Sequence, residues 1–529
     1  MALPLPRDIV IKNGTLVDGT GVARVQQDVY IKGDVIQGVG DYKKQDAELV
    51  IDATGKFVVP GFIDIQSHSD AYYTLFSVPY QDSLVQQGVT SIIMGNCGSS
   101  IAPLIEPDAI KSIQKWADLS EVVINWLTLG ELNQVLEKRG VPLNVGTLIG
   151  HSTLRRGLIK DEVRDLTAEE FKQFRKVVDD AMGEGAFGLS FGLAYSHANF
   201  TTMAELVEIG KMIATTGGYL AFHLRYDDDR FDQGVAEVIE VAKTARVPVH
   251  ISHLRANGKA AWPKLDGAVA LIDKAVAAGI NITFNVYPYA VTLSVLYNYL
   301  PEWFSRGGRK KLLERIKNPQ LRARVVEEMK RDPFSYGAML IAQAPRNKGL
   351  TGKTINDLAV GTGLSIEETV LNSLLAADGQ VIVMDSTLQE EQVRKLIKHP
   401  RSCIGTDAAG YDLRYRGELV HPRSFGAFPR MVAYYVRDEK LLSLEAGIQK
   451  MTSVPAAILG MQRRGIIKPN NFADVVIFDP ATIQDQATTD HPYRFPSGIE
   501  HVLINGRPIV GPFKQSNAMA GAILRRGQS

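Results

Sequence analysis

The sequence has 529 residues, 45% of them hydrophobic and 22% charged, which are ordinary values for a soluble globular protein too long for a single core. Lys+Arg is 59 against Asp+Glu 58, with no long block of one sign, so neither nucleic acid nor an anionic membrane is an expected partner. No apolar run reaches the length of a membrane span and the start lacks a signal-peptide pattern. With only two cysteines, Cys97 and Cys403, a cytoplasmic protein without a disulfide framework is expected.

Residues 1–57 read as short strands: Ile9 to Ile11, Thr15 to Val17, Val29 to Ile31 and Val35 to Val39, punctuated by Asn13-Gly14 and Lys32-Gly33. From 58 to 464 apolar runs alternate with amphipathic stretches. The runs are Gly61–His68, Ser91–Gly98, Asn144–His151, Phe187–Leu193, Tyr219–Arg225, Val247–His253, Asn281–Tyr289 and Ser402–Asp407. Helices are expected between them: Thr167 with Glu170 forms a capping box for a helix to about Gly183, and Ala204–Thr215, Val235–Ala245, Leu265–Ala278 and Gln389–Lys398 are similar. Eight near-continuous apolar strands separated by helices predict an α/β fold, a (β/α)8 TIM-like barrel, with a doubly wound open sheet as the alternative. About 290–349, with Trp303, Gly307-Gly308 and a charged helix at Arg309–Lys317, interrupts the pattern and reads as a lid-like insertion. In 465–529 the β pattern returns at Ala473–Asp479 and His501–Ile504, so both chain ends are expected to form one small β-sandwich.

Catalytic groups of such a barrel sit at the C-terminal ends of strands. There the sequence places His68, Cys97, His151, His223, His253 and Asp407. A single strand-end histidine is more often structural. However, the barrel brings His68, Cys97, His223, His253 and Asp407 to one bowl, and imidazole, thiolate and carboxylate together make a zinc ligand set. Zinc lowers the pKa of bound water to about 7. A neighbouring carboxylate, here Asp407, can carry a proton from that water to a departing amine. Metal-assisted hydrolysis follows from the residues alone.

Several motifs extend this reading: Val58-Val59-Pro60-Gly61-Phe62-Ile63-Asp64, Gly95-Asn96-Cys97-Gly98, Phe222-His223-Leu224-Arg225, Ile251-Ser252-His253, Tyr287-Pro288-Tyr289, Gly405-Thr406-Asp407 and His421-Pro422-Arg423. On these the chain resembles the D-aminoacylases (N-acyl-D-amino-acid deacylases) of the amidohydrolase superfamily, over nearly its whole length. The resemblance implies hydrolysis of a small-molecule N-acyl-D-amino acid. It implies a tight zinc site at Cys97, His223 and His253, a catalytic aspartate at Asp407, and substrate-carboxylate contacts at Tyr287, Arg423 and Arg255. One tightly bound Zn2+ is expected, with His68 at most a weak ligand. The superfamily's His-x-His motif is altered here to Gln66-Ser67-His68, and an amide is a poor zinc ligand. Two other readings remain on the sequence. One is a cyclic amidase of the dihydroorotase or hydantoinase type, against which Cys97 argues. The other is a non-catalytic binding protein on the same fold, for which Gln66 is the best support.

Overall fold

The computed structural model describes residues 8–42, 47–117, 119, 122–162, 164–195, 198–331, 334–414, 418–513 and 518–528. Its centre is a run of parallel strands. Phe62–Asp64, Val89–Met94 and Asn144–Thr147 pair in that order, and Ile149–Gly150 follows after Leu148 alone. The pairing continues in parallel through Gly188–Gly192, Tyr219–His223, Val249–Ile251, Ile282–Val286 and Ser402–Ile404. Beyond the first and last of these, Ser67 and Ala408 form a parallel bridge. Every residue of Val89–Met94, Gly188–Gly192 and Tyr219–His223 is buried, as expected of strands covered on both faces.

The covering helices bury one stripe each. In Leu265–Ala277 it is Leu265, Ala268, Val269, Ile272 and Ala275, spaced by three and four residues. Ala168–Gly183 starts at Thr167, which accepts the Glu170 amide while Glu170 reaches back, the capping box read from the sequence. The protein thus has a mixed α/β fold. Among the described residues no helix is long and apolar enough to cross a membrane.

Both chain ends contribute to one six-stranded sheet. Val475–Phe478 pairs antiparallel with Phe57–Pro60, and Ile499–Ile504 and Arg507–Val510 extend it on one side, Thr15–Leu16 and Val25–Gln26 on the other. A second sheet, Val35–Gly40, Asp28–Lys32, Asp8–Lys12 and Leu49–Asp52, shares an apolar core with it through Ile9, Ile11, Val29, Val58, Val475 and Leu503.

Between Ile282–Val286 and Ser402–Ile404 the chain builds a module with its own core. Thr292–Val295, Ile382–Asp385 and Leu340–Gln343 form an antiparallel sheet, and Phe304, Leu312, Ile316, Val325, Val370 and Leu374 pack with Ile341 and Val383. This core runs past Gly349 to Val383.

Candidate active site

Of the strand-end residues singled out in the sequence, His68, Cys97, His223, His253 and Asp407 come together, and sharp backbone bends bring three of them there. Cys97, His253 and Asp407 all have positive φ, at 52°, 36° and 49°. Such values are uncommon outside glycine and cost on the order of 1–3 kcal/mol each. Each bend is held from outside. Gly95 and Gly98 flank Cys97, and a Cβ at Gly95 would collide with the Leu148 carbonyl. Ser190 Oγ accepts the Gly98 N–H at 2.9 Å and donates to the Gly95 carbonyl. The His253 N–H is shared by Gln66 Oε1 and Asn285 Oδ1, both at 3.1 Å. Asp64 fastens the last strand to the first, accepting from the Thr406 N–H at 2.9 Å and from its hydroxyl.

His253 Nε2 lies 3.1 Å from His223 Nδ1 and 3.5 Å from Cys97 Sγ. These three ligand atoms lie within 4.8 Å of one another and all three residues are buried. Zinc–nitrogen bonds of about 2.0 Å and a zinc–sulfur bond of about 2.3 Å, at tetrahedral angles, give ligand–ligand edges of about 3.3 and about 3.5 Å. The donor set fits zinc in chemistry and spacing. Burial, with the nearby Arg255 charge, pushes His223 down to about 3, and burial likewise holds His253 well below the usual imidazole range. Both rings are therefore neutral near pH 7, as ligands must be.

In a second buried group, His68, Cys97 and Asp407, the ligand atoms also lie within 4.8 Å of one another. Its members are engaged with hydrogen-bond donors. Asp407 Oδ1 lies 2.9 Å from His68 Nε2 and accepts from Gln66 Nε2 at 3.0 Å, while Oδ2 accepts from Arg423 Nη2 at 2.8 Å. Burial alone would raise the Asp407 carboxyl, but the Arg423 charge and the bond from His68 hold it well below the carboxylate range. Burial opposes protonation of His68, and its bonds to Asp407 and Cys97 outweigh that and raise it.

Arg423 stacks over the Tyr287 ring at 4.4 Å, is 3% exposed, and keeps Nε and Nη1 without partners among the described residues. Arg255 Nη1 donates to the Tyr287 hydroxyl at 3.1 Å, and its Nε to Asp227 at 3.0 Å. A cavity bounded by His68, His223, His253, Arg255, Asp407 and Arg423 has Tyr72, Trp116, Tyr195 and Leu293 as its apolar wall. His151 ends its run as expected but opens the helix His151–Ile159 and points to Glu205, 2.9 Å away. His250 bonds Thr283 and Asn285. The aromatic wall and the Gln66 bonds have no counterpart in the sequence pattern. Only the glutamine standing in a His-x-His pattern signalled the latter.

This geometry can be set beside known proteins. Residues 49–510 match the model of the amidohydrolase family. An N-acyl-D-glutamate deacylase of Alcaligenes xylosoxydans xylosoxydans is 31% identical over 99% of this chain and 97% of its own. The crystal structure of an N-acyl-D-glutamate deacylase from Bordetella bronchiseptica, complexed with zinc and a phosphonate mimic of the tetrahedral intermediate, is 27% identical. It superposes with a TM-score of 0.84, covering 98% of this chain and 99% of that one. A D-aminoacylase structure, described for a binuclear metal center with one-metal activation and second-metal attenuation, is 29% identical. Its TM-score is 0.82, with 99% and 100% covered. The chain belongs to the amidohydrolase family and, within it, to the D-aminoacylases.

Proposed function

We propose that this protein hydrolyses the amide bond of N-acyl-D-amino acids with one tightly held zinc ion, releasing a carboxylate and a free D-amino acid. The observation that carries the reading is the convergence of Cys97 Sγ, His223 Nδ1 and His253 Nε2 beside an ionised Asp407. The D-configuration follows the names of the relatives. For the fold, with Asn144–Thr147 and Ile149–Gly150 taken as one strand, we read the eight parallel strands as a (β/α)8 barrel, supported by the Ser67–Ala408 bridge just beyond its first and last members. The two-sheet core built from both chain ends is read as a β-sandwich, and the module after Val286 as a lid.

Zinc held by Cys97, His223 and His253 would supply a Lewis acid that acidifies water and polarises the acyl carbonyl. The rest falls to the chain. The Asp407 carboxylate takes the proton from the attacking water and delivers it to the amide nitrogen as the C–N bond breaks. The spare Nε and Nη1 of Arg423, with Arg255 and Tyr287, hold the substrate carboxylate and so aim the acyl carbon. The aromatic wall keeps bulk water from the reacting atoms. His68 stays on Asp407 and is not a firm ligand.

The test is a panel of N-acetyl D- and L-amino acids assayed on protein stripped of metal and then restored with one equivalent of zinc. Zinc-dependent release of D-amino acids is expected. Hydrolysis of cyclic imides with none of linear N-acyl amino acids would refute the proposal.

A further inference from the structure

We infer that Gln66 is a positioning residue that fixes the Asp407 carboxylate and keeps a second metal ion out of the site, an inference that rests on the one-zinc reading above. Gln66 is 1% exposed, and its amide touches three members of the site at once. Oε1 accepts the His253 N–H at 3.1 Å, Nε2 donates to Asp407 Oδ1 at 3.0 Å, and the same nitrogen lies 3.6 Å from Cys97 Sγ. A backbone N–H only donates and an ionised carboxylate only accepts. The amide therefore has one orientation that satisfies both, because the flipped amide would set donor against donor and oxygen against oxygen.

His68, Cys97 and Asp407 form a buried group whose donor atoms lie within 4.8 Å of one another, and imidazole, thiolate and carboxylate would ordinarily accept a metal ion. In this chain both oxygens of that carboxylate already meet hydrogen-bond donors. Asp407 Oδ1 is bonded to Gln66 and His68, Oδ2 is bonded to Arg423, and the second amide hydrogen of Gln66 faces the Cys97 sulfur. A second cation would have to displace these donors from a buried carboxylate and leave them without partners, the costly direction for a buried polar group. An imidazole at position 66 could offer that cation a nitrogen lone pair, and an amide offers only a weakly coordinating oxygen, which is committed to His253. Hydrogen bonds from Gln66 and His68 thus meet Asp407 in place of a second positive ion. They orient the carboxylate for proton transfer without making it a metal ligand. In consequence this protein should tolerate zinc excess.

Wild type, Gln66→His and Gln66→Ala would be stripped of metal and titrated with zinc to about a tenfold excess. Bound metal would be measured after gel filtration, alongside hydrolysis of an N-acetyl-D-amino acid. Wild type should hold one equivalent and keep its rate within about twofold across the excess. Gln66→His should take a second equivalent and lose activity by at least about fivefold as it binds. With one equivalent bound, Gln66→Ala should lose at least about tenfold in kcat with KM changed by less than about twofold, the split expected when only proton transfer is misaligned. A wild type that takes a second equivalent as tightly as Gln66→His overturns the inference alone, as does a Gln66→Ala that keeps the wild-type kcat. The wild-type titration decides this even where a variant fails to fold. Failure of wild type to bind the first equivalent, or to hydrolyse any N-acetyl-D-amino acid with it, overturns the proposed function and takes this inference with it.

Discussion

Replacing Arg423 by alanine separates two jobs that the structure gives one side chain. Its Nη2 is committed to Asp407 Oδ2 at 2.8 Å, and its Nε and Nη1 have no partner among the described residues. A charge-assisted hydrogen bond contributes about 1.5 kcal/mol or more, so two bonds to a substrate carboxylate contribute about 3 kcal/mol, or about 10²-fold in kcat/KM. Losing the contact with Asp407 should cost about another tenfold whatever the substrate, since it disturbs the proton carrier. Arg423→Ala should therefore lower kcat/KM by about 10³-fold for an N-acetyl-D-amino acid. For the matching N-acetyl amine without the carboxylate the loss should be only about tenfold. The assay is steady-state release of free amine from both substrates by zinc-loaded protein. Equal losses on the two, within about threefold, would show that Arg423 does not hold the substrate carboxylate. Its effect would then lie entirely in Asp407.

Asp407→Asn keeps the side-chain shape and removes its basicity. Turnover should vanish while metal analysis still finds zinc on Cys97, His223 and His253, and loss of the ion would make Asp407 a ligand instead. The module from Thr292 to Asp385 has one core, and its Leu293 and Ser294 border the cavity, so hydrogen exchange across the whole module should slow when a phosphonate substrate mimic binds. Protection confined to the strand ends would refute a lid. Lys450 is buried with its ammonium on the carbonyls of His399 and Ser402, and burial pushes it down to about 8 from 10.5. Between those values the unfolded chain binds the proton and the folded chain does not, so stability rises with pH across that window. Urea unfolding should show wild type gaining about 3 kcal/mol between pH 8 and 10.5 relative to Lys450→Met, and parallel curves would refute the shift.

What the sequence made legible was whatever a periodic pattern encodes. The apolar runs became the parallel strands, Thr167 and Glu170 became the capping box, and strand-end chemistry brought Cys97, His223, His253 and Asp407 into one place. The extent of the inserted module was harder to read. Its helices Ile355–Thr362 and Ile366–Ala376 have the same amphipathic period as those covering the parallel strands, and only packing shows that Val370 and Leu374 belong to a different core. Pairing inside the site was not legible. Nothing in the spacing of 66, 407 and 423 indicates that an amide and a guanidinium meet opposite oxygens of one carboxylate. The wall of Tyr72, Trp116 and Tyr195 was equally hidden, since each comes from a loop without a repeating pattern.

The left-handed bends at Cys97, His253 and Asp407 are linked to this hidden pairing. A residue forced to positive φ relaxes unless its neighbours over-determine it, and a relaxed bend would swing the side chain out of the site. Ser190 bridges the backbone on both sides of Cys97, and Asp64 and Ser67 secure the segment around Asp407, Ser67 by donating its hydroxyl to the Ala408 carbonyl. His253 has Asn285 and Gln66 on its N–H. Gln66 thus supports one bend through its oxygen while its nitrogen holds the carboxylate presented by another. When the amide is lost, Asn285 still accepts the His253 N–H, so the Asp407 side chain is the group left without its guide. Gln66→Glu makes this specific: the carboxylate can still accept the His253 N–H but meets Asp407 as a like charge, so zinc retention should survive where turnover does not. Simultaneous loss of both would mean that Gln66 only supports the fold around His253.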